Sequence, residues 1–192
     1  EQVEAGKPFF AYISTNAPHG PLHCPQKYLD MYSGQSAKIA AFFGMITNID
    51  DNVGATRQFL EELGVADNTL FIFTTDNGTA TGNEVFNAGM RGKKGSVYEG
   101  GHRVLFIAHW PAAGWDIGHQ CDILCHAVDV VPTVVGLAGG KKPQSIRWDG
   151  VSIETLLDPE KESAVADRML VTDSQKIRDP IKWRKTAVMS QQ

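Results

Sequence analysis

The chain has 192 residues, a net charge of −4, a hydrophobic share of 42% and a charged share of 21%. This is an ordinary globular composition, with room for one sizeable core or a core plus a small appendage. The charge gives no electrostatic reason to expect nucleic acid or an anionic membrane as partner. No apolar run approaches the roughly 20 residues of a membrane span. Three cysteines, Cys24, Cys121 and Cys125, cannot all pair with one another. With no CxxC among them, neither a zinc knuckle nor a disulfide framework is indicated.

Pro8 to Ser14 (PFFAYIS) is short, aromatic and apolar, and reads as a buried strand. It opens into a loop, Thr15 to Gln26, that carries three prolines and two histidines. From about Ser36 to Leu63 the apolar residues Ile39, Phe42, Phe43, Ile46, Ile49, Val53, Phe59, Leu60 and Leu63 follow helical spacing, with Gly64 as the stop. Asn68 to Thr74 is the next strand. Thr79 to Glu99 is polar and glycine-rich, the kind of long loop that is usually functional or disordered. Val104 to Trp110 makes another strand. Cys121 and Cys125, four apart beside Ile123, Leu124, Ala127 and Val128, read as a buried apolar segment rather than a metal site. Asp129 is placed to cap a helix through Val130, Pro132, Val134 and Leu137. Gly139 to Pro143 is a break, and Arg168–Thr172 and Lys185–Met189 are candidate short strands beyond it.

Strands alternating with helices predict an α/β fold, a mostly parallel sheet sandwiched by helices. Residues 1–143 would form the main α/β unit, and residues 144–192 a linker and the beginning of a small C-terminal subdomain.

The chemistry concentrates where strands end. Leu70 to Thr75 runs straight into Asp76-Asn77-Gly78, and ligands of α/β proteins sit outside the carboxyl ends of strands. Carboxylate and amide oxygens are hard ligands, suited to Ca²⁺ or Mg²⁺. Taken alone, Asp-Asn-Gly is equally a plain turn. His19 follows the first strand, and Lys93 and Lys94 lie in the glycine-rich loop before the third. Singly, these are a solvated loop histidine and a surface lysine pair. Gathered on one face they would make a positive pocket for a tetrahedral oxyanion. Asp50 and Asp51 on the long helix read as capping or packing groups rather than metal ligands.

Three segments together resemble the sulfatase family of the alkaline-phosphatase-like superfamily. They are Pro8-Phe9-Phe10 through Asn16-Ala17-Pro18-His19-Gly20-Pro21, Thr75-Asp76-Asn77-Gly78, and Arg91-Gly92-Lys93-Lys94-Gly95 through Glu99-Gly100-Gly101-His102-Arg103-Val104. Asp50 to Gly54, Val128 to Thr133 and Asp149 to Ser152 fit the same pattern in the same order. The resemblance implies that Asp76 and Asn77 ligate a single divalent cation, Ca²⁺ or Mg²⁺. It implies that Lys94 contacts a sulfate oxygen, with Lys93 as the fallback, and that His19 contacts the sulfate and helps the leaving oxygen depart. Glu99, Gly100, Gly101 and Arg103 would shape the lysine loop. The implied partner is a sulfated small molecule or sulfated glycan, and the implied compartment is periplasmic, secreted or lysosomal in type.

The family's nucleophile, a formylglycine made from the first residue of Cys/Ser-x-Pro-x-Arg, has no counterpart here. Cys24 is followed by Pro25, Gln26, Lys27 and Tyr28, so both the proline and the arginine are out of place. The paired aspartates that complete the family's metal site also have no counterpart before Pro8. The resemblance therefore implies the middle and later part of a sulfuric ester hydrolase, with the isolated chain inactive and binding Ca²⁺ weakly at best. Two alternatives stay open: a phosphatase or phosphonate hydrolase of the same superfamily, and a non-catalytic fragment that binds sulfated glycan. Asn77, where two-metal relatives tend to carry histidine, favours the one-metal sulfatase reading. Trp115 and Phe86 are placed either to stack on a sugar ring or to pack.

Overall fold

A computed structural model of the chain describes residues 1–115, 118–143, 145–156 and 168–191. Part of the Gly114–Gln120 loop and part of the C-terminal segment thus lie outside the described residues.

Two helices form the first packed unit. α1 (Gln26–Asp30) lies against α2 (Ala37–Glu62), and Cys24, Tyr28 and Met45 are buried together, flanked by Ala17, Leu22 and Leu29. The Tyr28 hydroxyl donates to Asp51 Oδ2 at 2.7 Å and accepts from Asn48 Nδ2 at 3.0 Å. Asp51 is thereby a packing group, as the sequence suggests. Burial on α2 is confined to its first half, at Ile39, Ala40, Phe42, Gly44 and Met45, whereas Phe59 in the last turn is exposed. The helix stops where expected. Gly64 takes φ +68°, its N–H bonds the Glu61 carbonyl, and the Val65 N–H bonds that of Leu60, the paired closure of a Schellman end.

Four short strands follow among the described residues. β1 (Phe71–Thr74) pairs antiparallel with β2 (Phe106–His109), Phe71 opposite His109 and Thr74 opposite Phe106. Near the C-terminus β3 (Leu170–Asp173) pairs antiparallel with β4 (Thr186–Met189), Leu170 opposite Met189. The mixture of helices and strands is the α/β class expected. Both ladders among the described residues are antiparallel, though, where the sequence suggests mostly parallel pairing. The reason is connectivity. β1 reaches β2 through the glycine-rich loop and the single turn α3 (Glu99–His102), with no long crossover helix to return the chain in parallel.

The first apolar segment departs from expectation. Pro8 to Ser14 lies outside every ladder, and Phe10, Tyr12 and Ile13 are 80%, 83% and 72% exposed. Its composition favours a strand, but no described part of this chain pairs with it or covers it. The cysteine segment departs too, since Cys121 and Cys125 are both exposed.

Asp129 stands at the head of α4 (Val130–Leu137) without capping it. Its carboxylate instead closes the preceding turn by accepting from the His126 N–H at 2.7 Å, and it reaches further. It accepts from the Val151 N–H at 3.0 Å and from both terminal nitrogens of Arg168, at 2.7 and 2.5 Å. Thr133 on α4 accepts from the Ile153 N–H at 2.9 Å. The Gln191 side chain bonds the Leu124 N–H and the Asp122 carbonyl. These bonds hold the C-terminal hairpin against the segment leading into α4. Burial alone would raise the Asp129 pKa, but the Arg168, Val151 and His126 hydrogen bonds outweigh it and hold the carboxyl below its usual range.

Candidate functional site

β1 delivers the chain to Thr75-Asp76-Asn77-Gly78 at its carboxyl end. The Thr74 hydroxyl donates to the Leu105 carbonyl at 2.9 Å, which ties the end of β1 to the entry of β2. Asp76 is exposed, and Asn77 and Gly78 are half-buried.

Two backbone hydrogen bonds join this turn to the lysine loop. The Gly78 N–H donates to the Gly101 carbonyl at 3.0 Å, and the Lys94 N–H donates to the Thr79 carbonyl at 2.9 Å. The approach is close enough to require glycine. A Cβ on Gly78 would sit 1.9 Å from the Gly100 carbonyl oxygen, and one on Gly101 would sit 2.2 Å from the Ser96 carbonyl oxygen. The metal-type turn and the lysine loop are therefore one folded unit.

The loop is braced from within. Asn87 Nδ2 donates to the carbonyls of Met90 and Gly92, at 2.7 and 2.9 Å. The Gly100 N–H reaches the Arg91 carbonyl at 2.8 Å, and Ser96 Oγ accepts from the Lys93 N–H at 3.2 Å. Arg91 lies over the Tyr98 ring, 3.7 Å from its centroid, and Arg103 pairs with Glu99 one turn back. His102 Nε2 donates to the Val97 carbonyl at 3.1 Å. His102 and Asn87 are supports that sequence reasoning passed over. Nothing in their spacing marks them, because their partners are backbone carbonyls. Lys93 and Lys94 both stay exposed, with their ammonium groups on the solvent side of this scaffold.

His19 stands apart. It is exposed, its N–H bonds the Asn16 carbonyl, and its Nδ1 lies 2.8 Å from the Gly20 carbonyl. A carbonyl only accepts, so Nδ1 carries the proton and Nε2 is left open. Among the described residues no hydrogen bond links His19 to the Asp76 turn or to the lysine loop. Trp115 packs edge-on against Trp110 with centroids 5.8 Å apart, while Phe86 is exposed.

The donor chemistry of Asp76 and Asn77 suits a hard divalent cation, but the donor count is short. Ca²⁺ takes about six to eight oxygens, and this turn offers the side-chain oxygens of two residues. Among the described residues no three or more His, Cys, Asp or Glu side chains gather into a metal-holding group.

The sequence model of the family described as Sulfatase matches residues 1–140. The chain belongs to the sulfatase family. This sulfatase chain is 32% identical over 151 residues to arylsulfatase J of Mus musculus, covering 77% of this chain and 25% of that protein. Among solved structures it resembles Ps i-CgsB in complex with k-i-k-neocarrahexaose, at 32% identity and TM-score 0.73, covering 79% of this chain and 34% of that one. It also resembles the phosphonate monoester hydrolase SpPMH of Silicibacter pomeroyi, at 26% identity and TM-score 0.57, covering 75% and 27%. These neighbours carry the alkaline-phosphatase-like fold. The sulfatase chain spans about a quarter to a third of the length of the curated relatives it matches.

Proposed function

We infer that this chain supplies the lysine side and half of the cation-binding side of a sulfuric ester hydrolase site. The observation that carries the reading is the pair of backbone bonds joining Asp76-Asn77-Gly78-Thr79 to the Lys94–Gly101 loop. They hold a carboxylate, an amide and an ammonium on neighbouring loops in a family whose chemistry is directed at sulfate.

In this reading Asp76 and Asn77 hold the divalent cation, Ca²⁺ or Mg²⁺, which when bound offsets negative charge on the sulfate oxygens. Lys94 donates to a sulfate oxygen, with Lys93 one residue away as second candidate. Preorganised donors aimed at developing charge are worth most when their scaffold does not have to reorganise, and the glycine-packed loop is such a scaffold. His19, once a second proton occupies its open Nε2, contacts the sulfate there and helps the leaving alcohol oxygen depart. The nucleophile is not in these 192 residues, since no Cys/Ser-x-Pro-x-Arg run occurs, so the chain by itself does not turn over. The substrate class is a sulfate ester on a small molecule or a glycan, a reading supported by the k-i-k-neocarrahexaose in the Ps i-CgsB complex.

The test is a p-nitrophenyl sulfate assay of the chain with millimolar CaCl₂. No turnover above background is expected, and measurable turnover would contradict the reading. The likeness to SpPMH gives phosphonate ester hydrolysis as the second reading. It would gain if the full-length protein preferred p-nitrophenyl phenylphosphonate to the sulfate.

A further inference from the structure

The β3–β4 connection is unlike the rest of this molecule. From Gln175 to Lys185 it carries Lys176, Arg178, Lys182, Arg184 and Lys185 against the single carboxylate Asp179, in a chain whose net charge is −4. All six of these side chains are exposed. Trp183 lies among them, 75% exposed, with Lys182 Nζ 4.9 Å from its ring centroid.

The connection is built rather than slack. Asp173 accepts from the Gln175 N–H, Gln175 Nε2 and the Thr186 hydroxyl, at 2.8, 2.8 and 2.7 Å. Gln175 Oε1 in turn accepts from the Ile181 N–H at 2.8 Å, so one amide side chain braces the loop across its width. The Ser174 N–H reaches the Lys185 carbonyl at 3.0 Å and the Arg184 N–H reaches that of Ile181 at 3.1 Å. Trp183 and Lys185 are held at φ +68° and +48°, where side-chain-bearing residues are uncommon. Strained, braced positions of this sort concentrate at functional sites and clamps.

We propose that this connection is a second binding site, separate from the Asp76–Lys94 unit, for a sulfated carbohydrate chain. Trp183 offers a flat apolar face to a sugar ring, and the flanking Lys182 and Arg184 pair with its sulfate groups through charge-assisted hydrogen bonds. Lys176 and Arg178 extend the same basic surface. One exposed indole between cations suits a ring bearing discrete sulfates. The choice of sulfated carbohydrate rests on the sulfate-ester reading above, although the site's existence does not.

The test is titration calorimetry of the whole 192-residue chain with dextran sulfate, unsulfated dextran, a twelve-nucleotide single-stranded DNA and phosphatidylserine vesicles. Dextran sulfate is expected to bind at least tenfold tighter than each of the others, and more weakly as NaCl rises. The double variant Lys182→Glu, Arg184→Glu is expected to lose at least tenfold in affinity. Trp183→Gly, which accepts the positive φ without a side chain, is expected to lose at least threefold, with circular dichroism unchanged in both. Lys38→Ala, at an exposed lysine on α2 outside the hairpin, is expected to bind dextran sulfate as the parent does. Undiminished binding in both hairpin variants overturns the proposal, as does an equal loss in Lys38→Ala. DNA or vesicles binding as tightly as dextran sulfate overturns the carbohydrate assignment. None of these outcomes bears on catalysis, so the sulfate-ester reading fails or stands on its own assay.

Discussion

The Lys94 N–H donates to the Thr79 carbonyl at 2.9 Å, and the Gly78 N–H, one residue before Thr79, bonds the Gly101 carbonyl at 3.0 Å. Two loops that share no side-chain chemistry are thus joined through their backbones. Among the described residues, no side-chain hydrogen bond occupies Asp76, Asn77 or Lys94.

Gly78→Ala should undo this join. Its Cβ would lie 1.9 Å from the Gly100 oxygen, and a backbone carbonyl cannot swing aside as a side chain can. A loss of about 1–3 kcal/mol is expected, the range of overpacking in a filled site. Urea unfolding measures it, and hydrogen exchange should show faster loss at Lys94 and Gly78 than in α2. Stability unchanged from the parent would mean that the two loops are not joined in solution.

Asp129 and Arg168 set the acid limit of the C-terminal attachment. Asp129 is fully buried and Arg168 is 18% exposed at its side chain, so Arg168→Ala strands a buried carboxylate at a cost of about 3 kcal/mol. The sign with pH follows from the lowered Asp129 pKa. The unfolded carboxyl takes its proton near pH 4, while the folded one stays ionised to lower pH. Over that window the unfolded state binds more protons. The stabilisation is therefore full above the unfolded value and lost as pH falls through the folded one. Urea midpoints between pH 6 and pH 2 should drop more steeply for the parent than for Asp129→Asn.

Cys125 should be a poor nucleophile despite its exposure. Partial desolvation of its thiol, with Cys121 and Asp129 adding to it against the opposing Arg168 charge, pushes its pKa up to about 11, and the thiolate is the reactive form. At pH 8 roughly one thiol in a thousand is ionised at such a pKa. Iodoacetamide labelling followed by peptide mapping should show Cys125 modified at least tenfold more slowly than a free model thiol. Comparable rates would contradict the environment described.

The uncovered segment Pro8–Ser14 should make the chain sticky. Phe10, Tyr12 and Ile13 expose apolar surface beside backbone that no ladder satisfies, which is the ordinary setting for edge-to-edge association. Light scattering should show concentration-dependent self-association that the double variant Phe10→Ser, Ile13→Lys reduces. A strictly monomeric parent would contradict it.

Local structure was the most legible part of the sequence. The apolar spacing of Ile39, Phe42 and Leu60 located α2 to within a residue at each end, because helix periodicity and the Gly64 stop are local signals. Pro8–Ser14 reads as a strand but joins no ladder, because β-branched and aromatic composition reports the preferred conformation, not the partner that buries it. Asp129 reads as a helix cap in the sequence because its decisive partner, Arg168, lies 39 residues away. The antiparallel ladders were equally hidden, since apolar runs do not record strand direction. At the candidate site the residue types were readable from their motifs, and the joining of the Asp76 turn to the Lys94 loop rests on glycine carbonyl contacts that only coordinates reveal. His19 keeps its motif and its open Nε2, but this chain alone does not hydrogen-bond it to the other groups.

The central claim is that the Asp76 turn and the Lys94 loop respond to cation and sulfate as one unit. ¹H–¹⁵N spectra of the labelled chain, titrated with CaCl₂ and then Na₂SO₄, test it most directly. The expected result is coupled shifts at residues 76–79 and 92–101 that weaken together in Asp76→Ala and in Lys94→Ala. Shifts confined to one loop, or unaffected by either substitution, would contradict it.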